Sequence, residues 1–255
     1  MINLFLKVIF FLFYYTYQII LNIISLLILN VLMFFLFLFV DRAKISIIVT
    51  KSLKIVYPIL FKIISLKLIF LDPHKLLNKT FAQPTMFIFN HTHALDPFMV
   101  GQALPNNNIW IAKDAIRNYY IIGPLLKYSN ILMLVKKGKS FFKTIDNVLH
   151  QINLNKNKFS ISAFPEGYIP KDKKIKPFKS GPFHIAIKQK MPICMIYIED
   201  CTKGFNINPF LLNPGNMKYH VLGILETNNV LLKDINEIRM SAEKCYHLKQ
   251  MELKK

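Results

Sequence analysis

From Val8 to Val40 no charged residue interrupts a run dominated by Leu, Ile, Phe, Val and Tyr. A helix over 8–40 would be about 50 Å long at 1.5 Å per residue, more than the ~30 Å hydrocarbon core of a bilayer. The run therefore predicts one long tilted helix or a helical pair broken near Asn22 or Asn30. Its apolar part is too long for a cleavable signal peptide and does not end in small residues. After Asp41 the pattern changes: Arg42, Lys44, Lys51, Lys54, Lys62 and Lys67 punctuate an otherwise apolar stretch that ends at Leu71. Lysines recurring among isoleucines and leucines predict an amphipathic helix lying in the membrane interface, with Pro58 as a break.

Beyond Leu71 the period shortens. Asp72-Pro73 and Pro84 mark a joining loop over 72–85. Short apolar runs then predict strands at Met86–Phe89, Ile109–Ala112, Ile131–Val135, Phe159–Phe164 and Ile193–Ile198, with a weaker one at Lys218–Leu222. Helical patterns fall between them at Pro97–Ala103, Tyr120–Tyr128, Ser140–Ile152 and Pro182–Lys190. Strands alternating with helices indicate an α/β fold with a largely parallel central sheet flanked by helices. Asp234–Leu253 predicts a closing helix, with Asp234 as its cap and Ile235, Ile238, Ala242, Cys245 and Leu248 on its buried face. The chain thus divides into a membrane-embedded or interfacial helical region over 1–71 and an α/β domain over 72–255.

Composition sharpens this picture. Hydrophobic residues make up 53%, yet Lys and Arg number 33 against 14 Asp and Glu, a formal charge of +19. Apolar bulk with a large positive charge suits a protein facing anionic membrane lipids. Nucleic-acid binding would explain the charge but not the first forty residues, so no nucleic-acid partner is expected. The basic excess after the apolar run places the α/β domain on the cytoplasmic side of a bacterial inner membrane or its equivalent. Three cysteines, Cys194, Cys201 and Cys245, form no CxxC pair, which argues against a disulfide framework or zinc knuckle.

The chemistry gathers in Phe87-Ile88-Phe89-Asn90-His91-Thr92-His93-Ala94-Leu95-Asp96-Pro97. A strand runs into a polar turn, and Asp-Pro has the form of a cap and first residue of the next helix. In open α/β sheets such strand-to-helix turns hold the chemistry. Five residues separate His91 from Asp96, enough for the carboxylate to fold back toward the ring, orient it and stabilise its protonated form. His-x-His with a nearby Asp also fits a metal site built from His91, His93 and Asp96, with His150, His184 and His220 as distant ligands. The spacing departs from the common zinc-hydrolase pattern.

Downstream lies Ile161-Ser162-Ala163-Phe164-Pro165-Glu166-Gly167. An Asn-His-x-x-x-x-Asp block followed some seventy residues later by Phe-Pro-Glu-Gly resembles the glycerolipid acyltransferases typified by lysophosphatidic acid acyltransferase. The resemblance covers roughly 86–198, and a membrane-docking N-terminal helical region is common in that family. It implies that His91 is the base that deprotonates an acceptor hydroxyl, with Asp96 orienting and charging it. It implies substrate contacts from Asn90 and from Phe164, Pro165, Glu166 and Gly167. Phe178-Lys179-Ser180-Gly181, with Ala186, matches a following block, adding Lys179 and Gly181, and Met191-Pro192-Ile193 matches the strand entry after it. Where the family places an arginine after an apolar strand, this chain has Lys136 and Lys137.

One departure bears on the acceptor. The family continues Phe-Pro-Glu-Gly with Thr-Arg-Ser, whose arginine grips phosphate; here Tyr168-Ile169-Pro170 follows. Lysine is a point charge without the bidentate fork of arginine. Lys171, Lys173 and Lys174 stand next along the chain to supply that charge, and equally fit a solvated basic loop near anionic lipid. The resemblance implies acyl transfer from acyl-CoA or acyl carrier protein to lysophosphatidic acid, with no metal and no cofactor. A different lysolipid, such as a lyso-ornithine lipid, stands as the alternative acceptor. A membrane-bound metal hydrolase using His91, His93 and Asp96, or a non-catalytic lipid-binding protein, are the rival classes.

Overall fold

The computed structural model describes residues 67–80, 82–93, 96–105, 108–113, 132–135, 159–199, 207–208, 211–212 and 216–254, with scattered positions between 13 and 55. Lys136 and Lys137, the helices expected at Tyr120–Tyr128 and Ser140–Ile152, and most of the apolar N-terminal run lie outside the described residues. Among the described residues no helix is long and apolar enough to cross a membrane.

From residue 67 on, the described strands and α-helices follow in chain order: β1 (Lys67–Leu71), α1 (Leu76–Thr80), β2 (Met86–Phe89), α2 (Asp96–Val100), β3 (Asn108–Lys113), β4 (Leu132–Val135), β5 (Ser160–Ala163), α3 (Gly181–Lys188), β6 (Ile193–Ile198), β7 (Ile207–Asn208), β8 (Leu211–Leu212), β9 (Asn216–Leu225) and α4 (Ile235–Glu252). Seven strands form one sheet in the order β1-β9-β6-β2-β5-β3-β4, and β7 and β8 form a separate two-stranded pair. Every described pairing in the main sheet is parallel except β6 with β9. The largely parallel α/β architecture predicted from the alternating pattern is what forms.

The sheet is covered on both faces. One face packs Met86, Ile88, Ile161, Ile193, Met195 and Tyr197 under α3 and α4. The other packs Phe87, Phe89, Cys194, Ile196 and Ile198 against Leu77, Met99, Val100 and Leu104 from the segments around α1 and α2. This is why Met86-Phe87-Ile88-Phe89 is continuously apolar: all four residues are fully buried. A strand buried on both sides has no polar face to alternate with. Each such side chain contributes about 1.5–3 kcal/mol by leaving water, which anchors the strand leading into the polar turn.

Several expectations need correction. Lys67–Leu71, expected as the end of the interfacial helix, is an edge strand paired with β9 from Lys67↔Asn216 to Leu71↔His220. Its half-buried pattern reflects that edge position, where the lysine-punctuated apolar run suits a strand as well as a helix. The joining loop over 72–85 contains α1, started by the Asp72 carboxylate, which accepts from the N–H groups of Leu76 and Leu77 at 2.9 Å each. The weak strand at Lys218–Leu222 is the ten-residue β9. Asp234 makes no side-chain cap bond to α4, and Leu248 is exposed while Tyr246 takes the buried place. Cys245 packs partly buried against the core, as expected of it.

Candidate active site

Adjacent parallel strands bring the two motifs together. β2 and β5 run side by side in the register Met86↔Ile161, Phe87↔Ser162, Ile88↔Ala163. Extending that register past the strand ends sets His91 opposite Glu166, and the contact is made: the His91 N–H donates to Glu166 Oε1 at 2.9 Å across the same 75-residue separation. Both blocks therefore emerge at the carboxyl edge of the sheet, the edge where open α/β sheets place their sites.

The His91 turn is built around one carboxylate. Asp96 has no exposed surface, and its Oδ2 accepts from the N–H groups of Thr92 (2.7 Å) and His93 (2.8 Å) and from His91 Nδ1 (3.0 Å). The Thr92 hydroxyl donates to Oδ1 at 3.2 Å. These bonds run back into the turn ahead of the helix, so Asp96 organises the loop that precedes α2. An ionised carboxylate only accepts, so Nδ1 of His91 carries the hydrogen and Nε2 presents a lone pair. The ring is 16% exposed, open enough to meet a substrate. Phe164 stacks on it with centroids 4.0 Å apart at 19°, and Trp110 stacks on Phe164 at 5.4 Å and 12°.

Glu166 braces the turn from below. Its buried carboxylate accepts from His91 N–H through Oε1 and from Lys176 N–H through Oε2, the latter at 3.0 Å. Burial pushes its pKa up, and the two backbone N–H groups and the neighbouring His91 and Lys176 charges oppose that rise. Asn90 is also a brace: its amide donates to Ile198 O at 2.9 Å and accepts from Ile198 N–H at 2.6 Å, pinning the end of β2 to the end of β6. Gly167 has φ +72°, a left-handed conformation that favours glycine. A Cβ there would fall on the side chain of Lys179, which lies across it. Lys179 N–H donates to Pro165 O at 2.9 Å, tying the two blocks together.

The remaining candidates divide. Lys179 is exposed, and Lys171 is exposed four residues past Gly167. Gly181 is buried as the first residue of α3. The described N–H groups of the turn are already committed: those of His91, Thr92 and His93 to carboxylates, and that of Gly167 to Phe164 O at 2.9 Å. Among the described residues no group of three or more His, Cys, Asp or Glu side chains is placed to hold a metal ion. Of the distant histidines, His220 Nε2 instead meets Glu199 Oε1 at 2.6 Å.

Sequence reasoning missed the contribution of α4. Glu243 Oε1 accepts from Phe178 N–H (2.8 Å), Arg239 donates to Phe178 O (3.1 Å), and Gln250 Nε2 donates to Lys173 O (2.8 Å). Tyr246 Oη donates to Ile88 O at 2.6 Å and accepts from Ile196 N–H at 3.0 Å. The latter lies where the β6–β9 register shifts between Met195 and Ile196. Residues 239, 243, 246 and 250 recur at intervals of three and four, one face of a helix. That polar face is the signal the sequence carries, and the apolar face of the same helix masks it.

The chain has relatives among known proteins. The acyltransferase family model matches residues 67–199, more than half of the 255-residue chain. The chain is 28% identical over 158 residues to the 1-acyl-sn-glycerol-3-phosphate acyltransferase of Saccharomyces cerevisiae, covering 61% of this chain and 52% of that protein. It is 22% identical over 164 residues to the human 1-acyl-sn-glycerol-3-phosphate acyltransferase beta, covering 64% and 58%. It therefore spans about half the length of the curated relatives it matches. The crystal structure of the 1-acyl-sn-glycerophosphate (LPA) acyltransferase PlsC from Thermotoga maritima shares its fold, with a TM-score of 0.63 at 18% identity over 91% of this chain and 97% of that one. The chain belongs to the acyltransferase family, among the glycerolipid acyltransferases to which its two motifs point.

Proposed function

We propose that the protein is a membrane-bound O-acyltransferase that moves a fatty acyl group from a thioester donor to the free hydroxyl of lysophosphatidic acid, giving phosphatidic acid. The observation that carries this reading is the His91–Asp96 pair: Nδ1 is held at 3.0 Å by a carboxylate with no exposed surface, which leaves Nε2 as the ring's acceptor. His91 Nε2 takes the hydroxyl proton as the hydroxyl oxygen attacks the thioester carbonyl, and Asp96 stabilises the imidazolium. When the tetrahedral intermediate collapses, the C–S bond breaks and the imidazolium proton passes to the departing thiolate. The N–H groups of His91, Thr92 and His93 are committed to carboxylates, so the donor to the oxyanion is another group. The relatives named for 1-acyl-sn-glycerol-3-phosphate support the acceptor. The apolar run over 8–40 brings the domain to the bilayer from its cytoplasmic side, and acyl-CoA or acyl carrier protein, both anionic, suits the +19 charge as donor.

One observation favours a second acceptor. Ile169 occupies the place where the family resemblance puts a phosphate-gripping arginine, so another lysolipid is the alternative. Rescue of a bacterium lacking its own lysophosphatidic acid acyltransferase separates these readings. Growth with wild type and not with His91→Ala supports both reaction and acceptor. No growth with wild type, together with acylation of a different lysolipid in vitro, moves the acceptor. Growth with both removes His91 as the base.

A further inference from the structure

The segment after the Phe-Pro-Glu-Gly block combines two properties that rarely share a rigid surface. Tyr168 and Ile169 are 48% and 38% exposed. Lys171 and Lys174 are exposed beside them, with Lys173 half-buried between. The acidic residue within the run, Asp172, is neutralised by Lys176, which holds its carboxyl below the usual range. The result is an apolar tip set in net positive charge.

This segment is held. Pro170 is buried, and Lys173 N–H closes a turn on Pro170 O at 3.2 Å, with Lys173 in the left-handed region at φ +56°. From there the backbone runs along α4. Gln250 grips Lys173 O and, at 3.4 Å, Ile175 N–H, while Glu243 and Arg239 grip Phe178. Ile175 and Phe178 are buried in the core. The backbone at Lys173, Ile175 and Phe178 is thus gripped from within the protein, and Tyr168 and Ile169 are exposed on the segment that this grip anchors. Tyr168 and Ile169 are thus two adjacent exposed apolar side chains at the start of a held segment.

We propose that Tyr168–Lys174 is a bilayer contact, distinct from the N-terminal apolar run: Tyr168 and Ile169 enter the interfacial region of a membrane while Lys171 and Lys174 meet anionic lipid headgroups. The charge selects the occupant. An aromatic-aliphatic pair flanked by lysines is the composition that interfacial, anionic lipid-binding elements use. Its position gives the contact a use. Gly167 joins the tip to Glu166, whose carboxylate holds both His91 N–H and Lys176 N–H. A bilayer touching the tip is therefore set next to the histidine turn, through a connection of one residue and one carboxylate. The contact is independent of which lysolipid is the acceptor.

The test reads position, so membrane attachment through any other segment does not obscure it. In full-length protein carrying Cys201→Ser and Cys245→Ser, Tyr168→Cys is labelled with an environment-sensitive fluorophore; Cys194 is buried with its thiol pushed up to about 12 and stays unlabelled. The protein is reconstituted with vesicles of phosphatidylcholine alone or mixed with phosphatidylglycerol, each with and without lipid bearing a nitroxide quencher. A label at the exposed position of Glu237 serves as reference. Position 168 is expected to shift to the blue and be quenched about twofold more in anionic than in neutral vesicles, with position 237 unaffected. Adding Lys171→Glu and Lys174→Glu is expected to erase the anionic preference. A label at 168 that stays water-like in anionic vesicles overturns the proposal and leaves a solvated basic loop. Equal quenching in both vesicle types, unchanged by the two glutamates, overturns the assignment to anionic headgroups. No acyl transfer is measured, so neither result depends on the proposed reaction.

Discussion

Replacing Asp96 with Asn isolates the charge of the carboxylate from its geometry. Three donors converge on Oδ2: Thr92 N–H, His93 N–H and His91 Nδ1. The asparagine amide must turn its oxygen toward them, because its NH2 would face three donors. The nitrogen then occupies the Oδ1 place, where the Thr92 hydroxyl can rotate to accept. The turn keeps its hydrogen bonds and His91 keeps its tautomer, so folding loses only the difference between charge-assisted and neutral bonds, about 1–2 kcal/mol in total. Catalysis loses more. An imidazolium and a carboxylate 3.0 Å apart attract by at most about 5–6 kcal/mol at an effective dielectric of ~20. That ceiling corresponds to about four powers of ten in rate, and general-base steps typically contribute ~10²–10⁴. Purified Asp96→Asn protein in vesicles, assayed by release of free thiol from an acyl thioester, should lose ~10²–10⁴ in kcat with little change in donor KM. A kcat within about threefold of wild type, with the fold intact by thermal melting, would refute the reasoning.

Glu166→Gln leaves one acceptor for two buried N–H groups and turns an NH2 toward the other, costing about 1–3 kcal/mol, read as a lower Tm. Because burial raises the Glu166 pKa, the folded protein holds that proton from the ordinary value of 4.5 up to the raised one. The folded state binds more protons than the unfolded in this window, so the stability Glu166 contributes falls as pH rises through it. The Tm gap between wild type and variant should therefore narrow on going from about pH 4 to about pH 7; a gap that widens contradicts this. Gly167→Ala puts a Cβ at φ +72° and against the Lys179 side chain. The conformation alone costs about 1–2 kcal/mol, visible in denaturant melts. Tyr246→Phe strips the buried hydroxyl that Ile88 O and Ile196 N–H share and should cost about 1–3 kcal/mol, with slowed exchange at the Ile196 amide lost in the variant.

The parts legible in the sequence are those where one physical signal decides. Met86–Phe89 could be read because a strand buried on both faces leaves an unbroken apolar run. His91 and Asp96 could be read because a five-residue turn brings them together without help from the rest of the chain, and they do meet. What escaped depends on distant segments. Whether Lys67–Leu71 is helix or strand is settled by a partner almost 150 residues on, in β9. Asn90 and Glu166 lie in the motifs, yet their side chains are committed to backbone groups of Ile198, His91 and Lys176, contacts that only the sheet register creates. The same holds for α4, whose hydrophobic face marked it as packing while its Arg239, Glu243, Tyr246 and Gln250 side chains hold the site's supporting segments.

His91 as the base stands or falls on product formation. Full-length wild type and His91→Ala would be reconstituted in vesicles with a radiolabelled acyl thioester and lysophosphatidic acid, and labelled phosphatidic acid counted over time. Wild type should form it, and the variant should be slower by at least about 10² at an unchanged melting temperature. Formation at a near-normal rate by His91→Ala would contradict the mechanism.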